Sequence, residues 1–249
     1  MPTGVPPWLY SFYDRVVRRY PRIQYFLNQA YELYLNYYMQ TYIRRNCVSH
    51  ANVRKPDIIW IDPNEINEVY DPGFRPYRNN VCQVMSGNWD KDLPDFEDVF
   101  PYSAFQEHYL YDVPWEQTEM YSYLENLFNK NKTWHGCSSL SKADEELRKL
   151  DKLYQNIKTE GYKTQKEILE SGIEDPLMDI PVSLENHERG EVTVNIGRDG
   201  KIILEDGRHR VAIAKLLNLN SIPVHILVTH SKFKNNINKE FNHKDKSDS

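Results

Sequence analysis

The chain has 249 residues, of which 40% are hydrophobic and 27% charged, enough for one core with an appendage or for two small domains. A formal net charge of -5 argues against a broad nucleic-acid-binding surface but leaves a local basic patch open, and no run approaches the roughly 20 apolar residues of a membrane span. The three cysteines, Cys47, Cys82 and Cys137, lie far apart, which indicates neither a zinc site nor a disulfide framework and, without a cleavable signal, favours a cytoplasmic protein.

An amphipathic helix is the first predicted element. Apolar and aromatic residues recur at helical spacing from Tyr20-Pro21 to Arg44-Arg45, and Pro21 suits a first helical turn. Arginines at both ends leave open a contact of residues 15–45 with a membrane surface or a partner helix. The favoured interpretation is that the apolar stripe packs on the main domain. We therefore expect residues 1–56 to form an N-terminal helix and a linker.

A strand and a short helix are predicted next. Ile59-Trp-Ile61 is apolar, and Asp62-Pro63 supplies a cap and a proline for the first helical position, which predicts a helix over 66–70. Residues from about 71 to 144 follow as a largely helical insertion. Within it, His108, His135 and Cys137 do not form a convincing metal-ligand set, because no second pair of ligands lies nearby in sequence.

The segment from Val192 to Arg210 is predicted to be a hairpin that leads into a helix. Arg198-Asp199-Gly200 suits the hairpin reversal, because Asp-Gly readily supplies the positive φ of a tight turn. A short apolar strand then reaches Leu204, and the apolar stripe of a helix begins at Val211. The chain therefore passes from strand to helix between Asp206 and Arg210.

This strand-to-helix turn is predicted to bind an anion. The N–H groups and positive dipole of a helix start attract negative charge, and Arg208 and Arg210 add guanidinium forks suited to phosphate. Gly207 lets the backbone approach closely, and His209 is expected to bond to phosphate or to hold the turn through its ring N–H. The competing interpretation is a salt-bridge network in which the arginines and nearby acids neutralise one another.

Acids beside the turn are candidates for a catalytic base. Glu205 and Asp206 are adjacent at a strand end, so their side chains are expected to point to opposite faces, with Asp206 as the better helix cap. Glu191, at the start of the preceding strand, is the third candidate. Phosphoryl transfer needs a group that accepts the hydroxyl proton and usually Mg2+ to neutralise the phosphates. The sequence does not choose among these acids and leaves the metal ligands unknown.

Three pieces of the chain resemble the ParB/sulfiredoxin superfamily. They are Ile59-Trp-Ile-Asp-Pro-Asn-Glu-Ile66, Leu153-Tyr-Gln-Asn-Ile-Lys-Thr-Glu-Gly161, and Asp206-Gly-Arg-His-Arg210 with the helix and strand that follow it to Val228. The resemblance implies an α/β (α+β) fold, with a small mixed-sheet domain over residues 57–231 that contains the helical insertion. It also implies that the turn cradles nucleotide phosphates, as in partition proteins that bind CTP, sulfiredoxins that use ATP and a small-molecule serine kinase.

The resemblance also extends the candidate site. In that superfamily the chain after the first strand passes near the nucleotide, which implies that Arg75 or Arg78 reaches a phosphate and that Asp90 holds a metal or acts as a base. For each residue taken alone, a structural role in a loop is equally well supported. The turn lacks the cysteine that sulfiredoxin chemistry requires, so that reaction is not expected.

We therefore expect a nucleotide-binding protein, an ATP- or CTP-dependent phosphotransferase that acts with Mg2+ on the hydroxyl of a small molecule or glycan. The alternatives are a DNA-associated protein of the partition or nuclease-like kind and a non-catalytic nucleotide sensor. The acidic net charge argues against a nucleic-acid partner. Residues 232–249 are expected to form a disordered polar tail.

Overall fold

The computed structural model describes residues 58–70, 83–99, 102–173, 175–177 and 187–234. In these residues helices pack against a six-stranded mixed sheet, which confirms the predicted α/β class. The residues of the predicted N-terminal helix, Arg75, Arg78, Cys47, Cys82 and the residues beyond 234 lie outside the described part of the chain. None of the described helices is long and apolar enough to cross a membrane.

The sheet has the strand order β1-β6-β4-β5-β2, with β3 paired to β6 as well. Pairing is antiparallel for β1 with β6 and for β4 with β5, and it is parallel for the other neighbours. The strands are β1 Ile58–Ile61, β2 Ile66–Val69, β3 Gln83–Met85, β4 Val192–Ile196, β5 Ile202–Asp206 and β6 Ile222–His230.

The pairing of β1 with β6 tests the predicted mixed sheet. Ile59 faces Val224 and Ile61 faces Ile222, so the strand before the insertion and the last strand share one sheet, as expected. The prediction that the segments before and after the insertion form one mixed sheet is thereby confirmed. Within the insertion β3 was not predicted, and it lies along the far end of β6.

The segment after Asp62 corrects another expectation. Asp62 caps as predicted, since its Oδ1 accepts from the N–H of Asn64 at 2.8 Å, but it caps a single 3-10 turn, Pro63–Glu65. The helix predicted over 66–70 is wrong, because Ile66–Val69 is β2 and pairs in parallel with β5. Four residues carry too little periodicity to separate the two states, and the neighbouring strand decides.

The α-helices of the described residues lie partly within the insertion and partly after it. They are α1 Phe96–Val99, α2 Tyr102–Tyr111, α3 Glu119–Asn129, α4 Leu140–Glu160, α5 Gln165–Ser171 and α6 Arg208–Leu216. The C-cap of α4 is Gly161, which has φ +80. One apolar core joins strand residues such as Val194 and Val224 to α6, α2, α3 and α4.

The opposite side of the sheet carries a buried polar row. Side chains alternate along a strand, so Thr193 and Asn195 point away from Val194 and the helical core. His225 lies opposite Thr193 in the register, and Glu205 bonds to Asn195. All four are buried.

The β4–β5 hairpin is confirmed, and its turn packs against Phe233. Gly200 has φ +89, and a Cβ on it would lie 2.8 Å from Phe233 Cε2, so only glycine fits the turn without movement. Residues 231–234 form one helical turn. Residues 232–234 therefore belong to this helical turn, although the polar tail was expected to begin at residue 232.

Candidate functional site

The turn Asp206–Arg210, which we call the arginine turn, is fixed by Gly207. Gly207 is the N-cap of α6, with φ +99, and a Cβ there would lie 2.9 Å from Val192 Cγ2 and 3.1 Å from Val192 Cα. Such contacts with backbone cannot be relieved by a rotamer change. The close approach places the arginine turn against the start of β4, next to Glu191.

α6 begins with Arg208, within the predicted interval from Asp206 to Arg210, but Asp206 does not cap it. The cap is Gly207, which has no side chain to make a capping bond. Asp206 instead accepts from the N–H of Gly207 through Oδ1 at 2.9 Å. The predicted cap is therefore wrong, and the carboxylate of Asp206 stays partly exposed at the end of β5. The first backbone bond of α6 runs from Val211 N to Gly207 O, so the earlier N–H groups take no acceptor inside the helix.

Arg210 lies in a buried ion pair. Its Nη2 donates to Asp175 Oδ2 and its Nη1 donates to Gly190 O at 2.5 Å, with only 12% of the arginine side chain and 4% of the aspartate side chain exposed. Burial opposes the charge of Arg210, but the charge and hydrogen bond of Asp175, together with Tyr162 and Glu191, outweigh it, and the pKa of the guanidinium is raised. This geometry matches the salt-bridge interpretation at Arg210, since two of its guanidinium nitrogens already have partners.

Glu191 is the acid that the structure brings to the arginine turn. Its side chain is 4% exposed, and Oε1 accepts from the N–H of Gln165, the first residue of α5, at 2.7 Å. Oε2 is buried and has no hydrogen-bond partner. Burial raises the pKa of Glu191 to about 7, against the opposing effects of the Gln165 bond and the charge of Arg210. A carboxyl group that titrates near neutral pH can accept a proton there.

A second buried group without a partner, Tyr162, lies in the same region. Its hydroxyl makes no hydrogen bond, and burial raises its pKa well above the ordinary value. Tyr162, Asp175 and Arg210 line a cavity of about 40 Å³ between α4 and α5, together with apolar residues such as Ile157. That volume holds a few water molecules. In the described residues this cavity does not enclose a nucleotide, whose pockets are of the order of 300 Å³ or more.

Arg208 and His209 face other parts of the fold. Arg208 donates through Nη2 to the carbonyl oxygen of Tyr70, just after β2. The His209 ring is stacked on Phe105 of α2, with 5.9 Å between centroids. Its centroid also lies 5.0 Å from that of His135. Arg208 and Arg210, the two predicted phosphate ligands, therefore extend in different directions, one toward Tyr70 and the other toward Asp175.

Sequence reasoning missed the approach of His135. Trp134 and Cys137 exchange two backbone hydrogen bonds, and the residues between them, His135 and Gly136, have φ +47 and +76. This is the geometry of a two-residue hairpin turn, and His135 is exposed at its tip. A turn signal of this kind is readable in Trp-His-Gly-Cys, but its position against His209 depends on tertiary packing.

Glu205, a predicted catalytic candidate, is held inside the sheet. It is 1% exposed, and Asn195 Nδ2 donates to its Oε2 at 2.9 Å. It lies on the buried polar row rather than on the helical side. This placement favours a structural role for Glu205, and it leaves Glu191 and Asp206 as the acids beside the turn.

Asp90 lies at the other end of β5. It is fully buried and accepts from Arg198 Nη2 at 2.6 Å and from the Arg198 backbone N–H at 2.7 Å. Burial would raise its pKa, but these bonds and the charge of Arg198 hold the pKa well below its usual range. Five strand residues at about 3.3 Å each separate the hairpin turn from the arginine turn by roughly 15 Å. The structure therefore does not bring Asp90 together with the other predicted site residues.

No group of three or more His, Cys, Asp or Glu side chains among the described residues is arranged to hold a metal ion. No family model, curated protein or solved structure matches the chain. The resemblance to the ParB/sulfiredoxin superfamily therefore stays a prediction that rests on its three motif pieces.

Proposed function

We propose that the protein binds a nucleotide at the arginine turn and transfers a phosphoryl group to the hydroxyl of a small molecule or glycan, with Glu191 as the proton acceptor. The observation that carries this proposal is the state of Glu191, which is 4% exposed, has one oxygen without a partner and has a pKa of about 7. A base is most effective when its pKa lies near the working pH. The reducing cytoplasm remains the expected compartment.

The start of α6 supports the anionic half of the proposal. The positive end of a helix dipole attracts negative charge, and α6 begins at Arg208 directly after its N-cap Gly207. Arg208 adds a positive charge at the first helical position, with its Nη2 already bonded to Tyr70 O. The guanidinium of Arg210 is bonded to Asp175 and Gly190, so it contributes positive charge near the turn without being the direct ligand of the phosphate.

Mg2+ fits this arrangement through Asp206. Magnesium is commonly held by one or two carboxylates together with the phosphates of the substrate, so a full set of protein ligands is not required. Asp206 is the first residue of the arginine turn, and it is partly exposed. The ion would neutralise phosphate charge there, while Glu191 takes up the proton of the acceptor hydroxyl.

A nucleotide sensor that binds without turnover is the second candidate. The cavity beside Arg210 measures about 40 Å³, which leaves room for water rather than for an acceptor substrate. A sensor would bind nucleotide at the same turn but would release or transfer no phosphate, with or without Glu191.

Thermal unfolding with ATP, CTP, GTP and their diphosphates, each with Mg2+, tests binding, because a ligand that binds only the folded state raises Tm. Turnover is then measured as phosphate released or transferred by the wild type, by Glu191→Gln and by the control Glu170→Gln, an exposed acid on α5. We expect Glu191→Gln to keep nucleotide affinity and to lose about 10²–10⁴-fold in rate. Equal rates in Glu191→Gln and wild type would reject the base, and absence of a Tm shift with every nucleotide would reject the proposal.

A further inference from the structure

His108, on the last turn of α2, is held between two hydrogen-bond acceptors. Its Nδ1 lies 2.7 Å from Val113 O, and its Nε2 lies 3.1 Å from Asp151 Oδ1 of α4. A carbonyl oxygen has no proton to give, and neither has an ionised carboxylate. Each ring nitrogen therefore needs a hydrogen of its own, which only the imidazolium form has.

Neither neutral tautomer fits these contacts. With the proton on Nδ1, the Nε2 lone pair would face Asp151; with the proton on Nε2, the Nδ1 lone pair would face Val113 O at 2.7 Å. Protonating Asp151 instead is disfavoured. Burial would raise the pKa of Asp151, but the bonds from His108 and Trp115 outweigh it and lower that pKa.

The surroundings of His108 also favour a cation. The indole of Trp115 stacks on the ring, with centroids 4.0 Å apart, and its Nε1 donates to the same Asp151 oxygen at 3.0 Å. The titratable groups that face His108 are Asp151 from α4, Glu116 from the 3-10 helix Trp115–Gln117, and Tyr109 from α2 itself. A histidine cation near the C-terminus of a helix also interacts favourably with the helix dipole.

We propose that His108 is a proton-dependent tie that fastens α2, the segment Val113–Gln117 and α4 together as an imidazolium, and that its deprotonation loosens this junction. The contacts that define this tie do not depend on the proposed phosphotransfer. It reaches the arginine turn because Phe105, three residues before His108 on α2, stacks on His209. Loss of the proton therefore weakens the support of that turn as well as the junction.

The direction of the pH dependence follows from the shift. Burial lowers the pKa of His108, but the bonds to Asp151 and Val113 outweigh it, so the pKa in the folded protein is raised above the ordinary 6.5. The stabilisation is fully present below pH 6.5 and is lost as the pH rises through the raised value. Unfolding of the wild type should therefore release a proton from His108 within that window.

Nitrogen-15 NMR of the histidine rings in the full chain tests the proposal on the wild type. The His108 signals are assigned by their absence from His108→Gln, or from through-bond spectra if that variant does not fold. We expect both ring nitrogens of His108 to be protonated at pH 7 and to titrate above 6.5. A neutral ring at pH 7 would overturn the proposal.

Asp151→Asn gives the matched comparison, because asparagine keeps an acceptor oxygen but removes the charge. We expect the His108 titration to move to lower pH in this variant. In the wild type, we expect the protection of the α2 amides from hydrogen exchange to fall between pH 6.5 and 9 relative to that of the β6 amides. An unchanged His108 titration in Asp151→Asn would contradict the tie. So would α2 protection that stays parallel to that of β6 across this range.

Discussion

Asn195 donates from Nδ2 to Oε2 of Glu205 at 2.9 Å, and both side chains are buried in the sheet. Glu205 is the extra residue of a bulge in β5, because the pairing with β4 steps from Leu204 to Asp206. The Oδ1 atom of Asn195 accepts from the N–H of Val228 at 3.0 Å, where β6 has a bulge of its own. The amide of Asn195 thus provides partners for the Glu205 carboxylate and the Val228 N–H, which lie at the bulges of β5 and β6. β5 leads into the arginine turn.

Replacing Asn195 by Ala should therefore destabilise the protein strongly. The change leaves a buried carboxyl group and a buried N–H without these partners, which costs about 2–5 kcal/mol of unfolding free energy. Thr193→Val is the matched control on the same strand and face, because the Thr193 hydroxyl is buried and has no partner. Urea unfolding of both variants checks the prediction, and an equally small effect in the two would show that the Asn195 network contributes little.

Local patterns predicted the hairpin and the helix start, because their signals lie within a few residues. Asp199-Gly200 specifies a reversal, and the apolar stripe from Val211 specifies a helix. The partners of the site residues could not be predicted in this way. Arg210 meets Asp175, and Asp90 meets Arg198, across long stretches of chain. Sequence spacing carries no information on such contacts, so arginines that suit phosphate and arginines that pair with buried acids look alike before folding.

Asp90→Asn should lower stability at pH 7 and flatten its loss in acid. The pKa of Asp90 is held well below 3.8 in the folded protein, so its contribution is present above pH 3.8 and is lost as the pH falls through the lower folded value. Weakened bonds to Arg198 should reduce Tm at pH 7 by about 3–10 °C. Scanning calorimetry of wild type and variant from pH 2 to 7 measures both effects. A constant Tm difference over that range would contradict the assignment.

Gly207→Ala should cost more than a change of backbone preference alone. Gly172 is the matched control, since it has φ +68 and nothing within 4 Å of an added Cβ, whereas Gly207 has φ +99 and meets Val192. We expect Gly172→Ala to cost about 1 kcal/mol and Gly207→Ala at least 1 kcal/mol more, because Val192 must move. Denaturant unfolding compares them, and equal losses would mean that the contact with Val192 is relieved without cost.

Arg210→Ala should lower the free energy of unfolding, so its effect on ligand binding cannot be separated from its effect on stability. It strands Asp175 and Glu191 in the interior, and breaking one side of a buried pair costs about 3–5 kcal/mol. The double variant Arg210→Met with Asp175→Leu should recover most of that loss, because no unpaired charge stays behind from the pair. Unfolding free energies of the single and double variants form the test. Additive losses would show that the two residues are not coupled.

Calorimetric titration of ATP and CTP with Mg2+ into wild type, Arg208→Ala, Arg208→Lys and the control Arg148→Ala tests the central claim, that the arginine turn binds nucleotide phosphate. Arg208 lies at the first position of α6, whereas Arg148 is exposed on α4. We predict binding to wild type and Arg148→Ala, and affinity lower by roughly ten- to a hundredfold in Arg208→Ala, for the loss of one charge-assisted contact. Arg208→Lys should also be weakened, because a point charge does not reproduce the guanidinium fork. Affinity unchanged in Arg208→Ala, or no nucleotide binding by the wild type, would contradict the account.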